Sequence, residues 1–166
     1  MSPELNFEVV PLSEVPWSKP IVQREPPVIL VVDNERLIAD TLSAILAKNG
    51  YAVMTAYDGK TAHEFASIIP PELLLTDVAM PGMNGIELAI VLAQSIPDCK
   101  VLLFSGQAST ADLLERARAA GHNFTLLLKP VPPTELLTRI SDCLKYRETA
   151  VTPKPVVTPQ PISRRN

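Results

Sequence analysis

The stretch that decides the fold is residues 73–85, LLLTDVAMPGMNG. Its three leucines form a short apolar run, which is typical of a strand buried on both faces of a sheet. The run ends on Asp77, and a loop follows in which Asn84 and Gly85 tolerate positive φ. Open α/β sheets bind ligands at the carboxyl ends of their strands. Asp77 is therefore a candidate functional residue, although a solvated Asp at the start of a loop would give the same pattern.

Apolar runs and segments of helical periodicity alternate on both sides of this stretch. Each connection is long enough for a helix, which calls for a parallel sheet with helices on both faces. Five strands favour a flavodoxin-like, doubly wound α/β fold with strand order 2-1-3-4-5 and five helices, with the less apolar second strand at an edge. The predicted strands are 28–32, 51–56, 73–76, 100–104 and 124–128. The predicted helices are 36–49, 60–69, 85–95, 110–120 and one that Thr134 N-caps and that ends near 146.

Composition limits the class of protein. Hydrophobic residues make up 46% and charged residues 20% of the 166 residues, as in a globular protein with a core. A net charge of −3 gives no reason to expect nucleic acid or a membrane surface as a partner. Cys99 and Cys143 lack metal-ligand spacing, which favours a reducing, cytoplasmic setting. No apolar run is long enough to span a membrane, and the residues at the start of the sequence lead us to expect no signal peptide there.

The seventeen prolines mark the domain boundaries. Six lie in residues 1–27 and four in residues 153–161. We therefore predict disordered, Pro-rich arms over 1–26 and 148–166, and one folded domain over 27–147. Trp17 in the first arm is either a docking anchor or part of a plain disordered segment.

Polar side chains able to handle a phosphoryl group and a divalent metal follow four of the five strands. They are Asp33 with Asn34, Asp77, Ser105 and Lys129. In a parallel sheet these strand ends lie at one edge, so the groups can converge. A carboxylate can attack phosphorus, Mg²⁺ prefers hard oxygen ligands, and lysine and serine can bind phosphate oxygens. Each residue alone has an ordinary structural explanation as a helix cap, turn residue or surface charge.

These motifs resemble the receiver domain of two-component response regulators. The resemblance rests on Val31–Glu35 (VVDNE), Asp77–Gly85 with its Asp-x-x-Met-Pro-x-x-x-Gly pattern, Ser105-Gly106 and Lys129-Pro130, and it covers about 27–147.

The resemblance implies a role for each of these residues. Asp77 would be the phosphoacceptor, and Asp33, Asn34, Asp77 and the carbonyl of Ala79 would bind Mg²⁺. Ser105 would be the switch hydroxyl that moves towards the phosphate, and Lys129 would pair with the phosphate. The Lys129-Pro130 bond would be cis, which X-Pro bonds permit at low cost.

Three positions depart from the family's pattern. Asn34 replaces a usual acid, and one charge about 4 Å from the metal is worth on the order of a few kcal/mol, so we expect weaker Mg²⁺ binding. Leu126 occupies the position of the usual switch aromatic, and Phe124 is either a displaced substitute or a core residue. Ala79 and Gln107 occupy the two positions that tune the lifetime of the acyl phosphate in the family.

By resemblance, we expect a single-domain response regulator rather than an enzyme. A histidine kinase or phosphotransfer protein would phosphorylate Asp77. Because about twenty Pro-rich residues follow the last predicted helix, we expect no output domain. Output would therefore pass through contacts with an unknown protein, and the chain would be a monomer.

Three alternative functions are supported by the sequence to different degrees. A pseudo-receiver that signals without phosphorylation is favoured by Asn34 and Leu126. A phosphohydrolase is disfavoured because Ala79 cannot serve as a second acid. A flavodoxin-like electron carrier is disfavoured because the first loop lacks a Ser/Thr-rich phosphate site.

Overall fold

Five strands and five helices alternate in the computed structural model, which describes residues 25–106 and 110–145. The strands are β1 Val28–Val32, β2 Ala52–Ala56, β3 Leu73–Asp77, β4 Lys100–Ser105 and β5 Thr125–Leu128. The helices are α1 Arg36–Lys48, α2 Gly59–Ile68, α3 Gly85–Ser95, α4 Thr110–Ala119 and α5 Pro133–Lys145.

The sheet is parallel throughout, in the order β2-β1-β3-β4-β5. The predicted fold class and strand order are thus confirmed, and β2 lies at an edge as its weaker apolar character indicated. All five residues of β3 are buried, because strands flank it on both sides and helices cover both faces. The carboxyl ends of β1, β3, β4 and β5 consequently meet along one edge of the sheet.

Two apolar clusters cover the two faces of the sheet. Alternate strand residues point to opposite faces, so Leu30 and Leu74 join the cluster with α2, α3 and α4. Ile29 and Leu75 join the other cluster, with α1 and α5. This packing holds the strand ends, and the side chains that follow them, in fixed positions.

Some predicted details are wrong. Thr134 is not the N-cap of the last helix, because that helix already begins at Pro133, and proline is favoured at a first helical position. The helical spacing of Leu37 with Ile38, Leu42, Ile45 and Leu46 predicts a place for it on the apolar stripe of α1, yet Leu37 is 81% exposed. In the loop after β3, Gly82 has the positive φ of 73°, whereas Gly85 is the first residue of α3.

The predicted arms lie outside the described residues, apart from Glu25 and Pro26, and so do Trp17 and Gln107. Their disorder and roles stay predictions. Among the helices that the structure describes, none combines the length and apolar character needed to cross a membrane.

Candidate functional site

Two buried carboxylates follow the neighbouring strands β1 and β3. Asp33 is 2% exposed and Asp77 is 6% exposed. The backbone N–H of Asp33 donates to the carbonyl of Ala56 at 3.3 Å, and its Oδ1 accepts from the N–H of Glu35 at 2.9 Å. These contacts fix Asp33 at the end of β1, beside Asp77. Two nearby buried acids require a cation, since an unpaired buried charge is costly.

Lys129 supplies that cation from the end of β5. Its Nζ lies 2.9 Å from Oδ2 of Asp33 and 2.8 Å from Oδ1 of Asp77. It also lies 4.8 Å from the centre of the Phe104 ring, within cation–π range. Burial lowers the pKa of Lys129, but hydrogen bonds and charge from Asp77 and Asp33 outweigh burial and raise the pKa above its ordinary value. Lys129 is therefore a fixed positive charge between the two carboxylates.

The backbone around Lys129 is also tied to β4. The N–H of Lys129 donates to the carbonyl of Ser105 at 2.8 Å, and the Lys129-Pro130 bond is cis, as expected. Three of the predicted strand-end residues, Asp33, Asp77 and Lys129, are thus in direct contact.

Ser105, the fourth strand-end residue, is fully buried and contacts a residue that the sequence did not single out. Its Oγ lies 2.8 Å from Oγ1 of Thr110, the first residue of α4, which is 3% exposed. Ser105 and Thr110 are five residues apart with a loop between them, and no spacing rule brings two such side chains together. Only the path of the chain after β4 could have indicated this contact.

The backbone of Asp77 is held by two residues that sequence reasoning did not assign to the site. The Thr76 hydroxyl donates to the carbonyl of Asp77 at 2.9 Å. A Cβ at Gly85 would collide with that same carbonyl, so only glycine fits there. Asn84 caps α3 by accepting from the N–H groups of Ile86 and Glu87, which secures the other end of the loop.

The residues that depart from the family's pattern differ in their exposure and packing. Asn34 and Ala79 are exposed, next to the buried Asp33 and close to Asp77 in the loop. Leu126 and Phe124 are partly buried against the cluster that contains Leu74. The Phe124 ring stacks on His122, with the ring centres 5.6 Å apart.

The side chains present suit Mg²⁺, which takes a few carboxylate or carbonyl oxygens and keeps several waters. The oxygens that would hold it belong to Asp33, Asn34 and Asp77, with the backbone carbonyl of Ala79. Within residues 25–106 and 110–145, no three acidic, His or Cys side chains form a metal-binding group, so this pocket offers two carboxylates. The donors therefore fit Mg²⁺ with less negative charge than an all-acid pocket would give.

This fold and this site define a class of signalling domain, and comparison with known proteins agrees. The family model described as the response regulator receiver domain matches residues 29–141. The chain therefore belongs to the response regulator receiver domain family, which works in two-component signal transduction. Domains of this family are phosphorylated by histidine kinases or phosphotransfer proteins, bind Mg²⁺, and are in general signalling proteins rather than enzymes.

Individual relatives show how far the likeness extends. Protein PetR of Rhodobacter capsulatus is 31% identical over 135 residues, which is 81% of this chain and 56% of PetR. The chain spans about half the length of the curated relatives it matches.

Two solved structures show the same fold over almost their whole length. A CheY-like receiver domain protein of Methanospirillum hungatei JF-1 is 29% identical, with a TM-score of 0.69, and the match covers 75% of this chain and 98% of that one. Response regulator TrrA of Thermotoga maritima, solved in complex with Mg(2+)-BeF, is 27% identical with a TM-score of 0.63, covering 71% of this chain and 99% of TrrA.

Proposed function

We propose that Asp77 is the phosphoacceptor of this receiver domain and takes its phosphoryl group from a histidine kinase or phosphotransfer protein. The observation that carries the proposal is the contact of Lys129 Nζ with both Asp77 and Asp33. It joins three strand-end residues into one buried, charged site at the sheet edge where α/β proteins bind ligands.

The chemistry is a displacement at phosphorus. Oδ1 of Asp77 is paired with Lys129, so we assign the attack to Oδ2. A P–O bond forms to Asp77 while the P–N bond of the donor phosphohistidine breaks. The electron pair of that bond stays on the imidazole nitrogen, which takes a proton from solvent. The product is an acyl phosphate on Asp77.

The other site residues act on the charge of the transferred group. Lys129 is already charged and held at Asp77, so it can pair with a phosphoryl oxygen without a large movement. The Ser105 hydroxyl donates a hydrogen bond to another phosphoryl oxygen. Asp33, Asn34, Asp77 and the backbone carbonyl of Ala79 would hold Mg²⁺, which would supply positive charge against the negative charge of a loose phosphoryl transition state.

We propose a single-domain, monomeric, non-enzymatic regulator in the cytoplasm that signals through contacts with another protein. The net charge of −3 supports a protein partner over nucleic acid or an anionic membrane. Light scattering on the phosphorylated and unphosphorylated protein tests the monomer, and a dimer in either state would contradict it.

A pseudo-receiver, which acts through contacts without phosphorylation, is the second candidate. It is favoured by the amide at Asn34, which removes a charge from the metal pocket, and by the aliphatic side chain of Leu126. The intact set of Asp77, Ser105 and Lys129 opposes it.

Mass spectrometry of the intact protein separates the two candidates. The protein is incubated with acetyl phosphate, with and without Mg²⁺, beside Asp77→Asn. A Mg²⁺-dependent adduct of one phosphoryl group that is absent from Asp77→Asn is the expected result. If the wild type gives no adduct and Asn34→Asp restores it, the metal pocket is at fault and the pseudo-receiver is the better account.

A further inference from the structure

Exposed apolar side chains are concentrated at the end of α2. Among the residues that the structure describes, five large apolar side chains are exposed, and three of them lie here: Phe65 is 37%, Ile68 78% and Ile69 49% exposed. The spacing of three and four residues places the isoleucines on the same side of the helix as Phe65. The N–H of Ile69 donates to the carbonyl of Phe65 at 2.9 Å and closes the last turn. These three residues form a small apolar surface, which we call the α2 patch.

The polypeptide enters the sheet beside this patch. The backbone N–H of Val28, the first residue of β1, donates to Oε2 of Glu72 at 2.7 Å, and the N–H of Glu72 donates to the carbonyl of Val28 at 2.9 Å. Ile69 precedes Glu72 by three residues, so the two Cα atoms are at most about 11 Å apart. The chain that precedes β1 therefore joins the fold next to the end of α2.

The sequence before β1 contains side chains suited to an apolar surface. Residues 9–22, VVPLSEVPWSKPIV, include six aliphatic residues and Trp17, the single tryptophan of the chain. Tryptophan buries a large apolar area and is enriched among the residues that dominate binding interfaces. Pro11, Pro16 and Pro20 have a fixed φ, which reduces the conformational entropy that is lost when such a segment docks.

Trp17 is close enough along the chain to contact the α2 patch. Val28 follows Trp17 by eleven positions, and an extended chain of that length spans about 36 Å, well beyond the distance from Val28 to Ile69. A contact within one chain also has a high effective concentration, of the order of millimolar for a short linker. A second copy or another protein would have to bind the same small surface without this advantage. The connection therefore favours the chain's own segment as the occupant.

We propose that residues 9–22 fold back onto the domain and that Trp17 packs against the α2 patch. The contact lies at the amino end of β1, whereas Asp77 lies at the carboxyl end of the parallel strand β3, so the two sites are on opposite edges of the sheet. The inference goes beyond the proposed function and does not depend on phosphorylation. Any partner of this face of α2 would have to displace the segment first.

Fluorescence of the full chain tests the inference, because all tryptophan emission comes from Trp17. We expect emission at a shorter wavelength, and slower quenching by acrylamide, than for a synthetic peptide of residues 9–24. Ile68→Lys should lower the ratio of docked to free segment about tenfold, the order of effect of losing one buried aliphatic contact, and move both values towards those of the peptide. Leu37→Lys is the matched control, because it makes the same change at an exposed position of α1 and should leave the emission unchanged.

Three results would overturn the inference. Wild-type emission equal to that of the peptide would show that Trp17 is free. Short-wavelength emission that Ile68→Lys leaves unchanged, or that Leu37→Lys shifts equally, would show that Trp17 packs elsewhere. Short-wavelength emission that appears only as the protein concentration rises would make a second copy the occupant. If Ile68→Lys does not fold, as judged by circular dichroism, Ile69→Lys takes its place.

Discussion

Asn34 is an exposed amide beside the buried Asp33, where the proposed metal pocket would otherwise hold a further carboxylate. We predict that Asn34→Asp tightens Mg²⁺ binding about tenfold, or about 1.4 kcal/mol, as expected for one added charge near a divalent cation under solvent screening. Isothermal titration calorimetry with Mg²⁺ measures this directly. Asn123→Asp, an exposed residue just before β5 at the opposite end of the sheet, makes the same change of charge and should alter the affinity by less than twofold. Equal effects from the two variants would mean that net charge, rather than ligation by residue 34, controls binding.

Lys129 pairs with two carboxylates at once, and its side chain is only 19% exposed. We predict that Lys129→Met lowers the free energy of unfolding by about 3 kcal/mol without Mg²⁺, because two buried negative charges are left facing each other. Added Mg²⁺ should recover more stability in this variant than in the wild type. Urea unfolding with and without Mg²⁺ measures both effects.

Lys60→Met is the matched control for this loss of charge. Lys60 pairs with Glu64 at 4.0 Å on the surface of α2, where such pairs contribute little. Its stability should change by less than about 0.5 kcal/mol. A Lys129→Met protein as stable as this control would show that the contact with Asp33 and Asp77 does not stabilise the fold.

The residues of the site were predictable from the sequence to different degrees. Asp33, Asp77 and Lys129 could be placed together because each ends a strand, and parallel strand ends share an edge. Thr110 could not, since its contact with Ser105 depends on the three-dimensional path of a loop. Likewise, the sequence predicts that Gly85 begins a helix but gives no sign that the carbonyl of Asp77 lies against it.

At the scale of elements, the loop between β3 and α3 contains two glycines that are needed for different reasons. Gly85 has no positive φ, but an added Cβ would strike the carbonyl of Asp77. Gly82 has a φ of 73° and open space around it. We predict that Gly85→Ala costs about 3 kcal/mol or more through overpacking, whereas Gly82→Ala costs about 1 kcal/mol through backbone strain. Thermal and urea unfolding of both variants check the order, and the reverse order would contradict the packing described here.

The elements themselves follow closely from the sequence, and the errors have physical causes. The strand β1 was predicted with its observed bounds because a continuous run rich in β-branched residues strongly favours a buried strand. Leu37 was misplaced because helical spacing identifies an apolar stripe but not which residues at its margin the sheet covers. The start of α5 was misplaced because the side chain of Thr134 suits a cap, while the fixed φ of Pro133 suits a first helical position.

At the scale of the whole molecule, groups whose pKa is raised on folding, among them Cys99 and Lys129, tie the stability of the fold to alkaline pH. Burial raises the pKa of the Cys99 thiol, despite an opposing interaction with the backbone of Leu74, from 9.0 to about 11. The unfolded chain therefore releases this proton near pH 9, while the folded protein keeps it until about pH 11. Between these values the unfolded state gains stability relative to the folded state. Lys129 acts in the same direction at higher pH, because its pKa is also raised on folding.

We therefore predict that the free energy of unfolding is nearly constant from pH 7 to 8 and then falls as the pH rises. The Cys99 contribution is about 1 kcal/mol by pH 10 and between about 2 and 3 kcal/mol above pH 11, since one pKa unit corresponds to 1.36 kcal/mol. Urea unfolding at pH 7, 8, 9 and 10 measures the slope. Cys99→Ala should be less stable than the wild type at pH 7, because a buried side chain is lost, yet its stability should fall less steeply above pH 8. Parallel curves for the two proteins would show that Cys99 does not cause the alkaline loss, and that other groups must account for it.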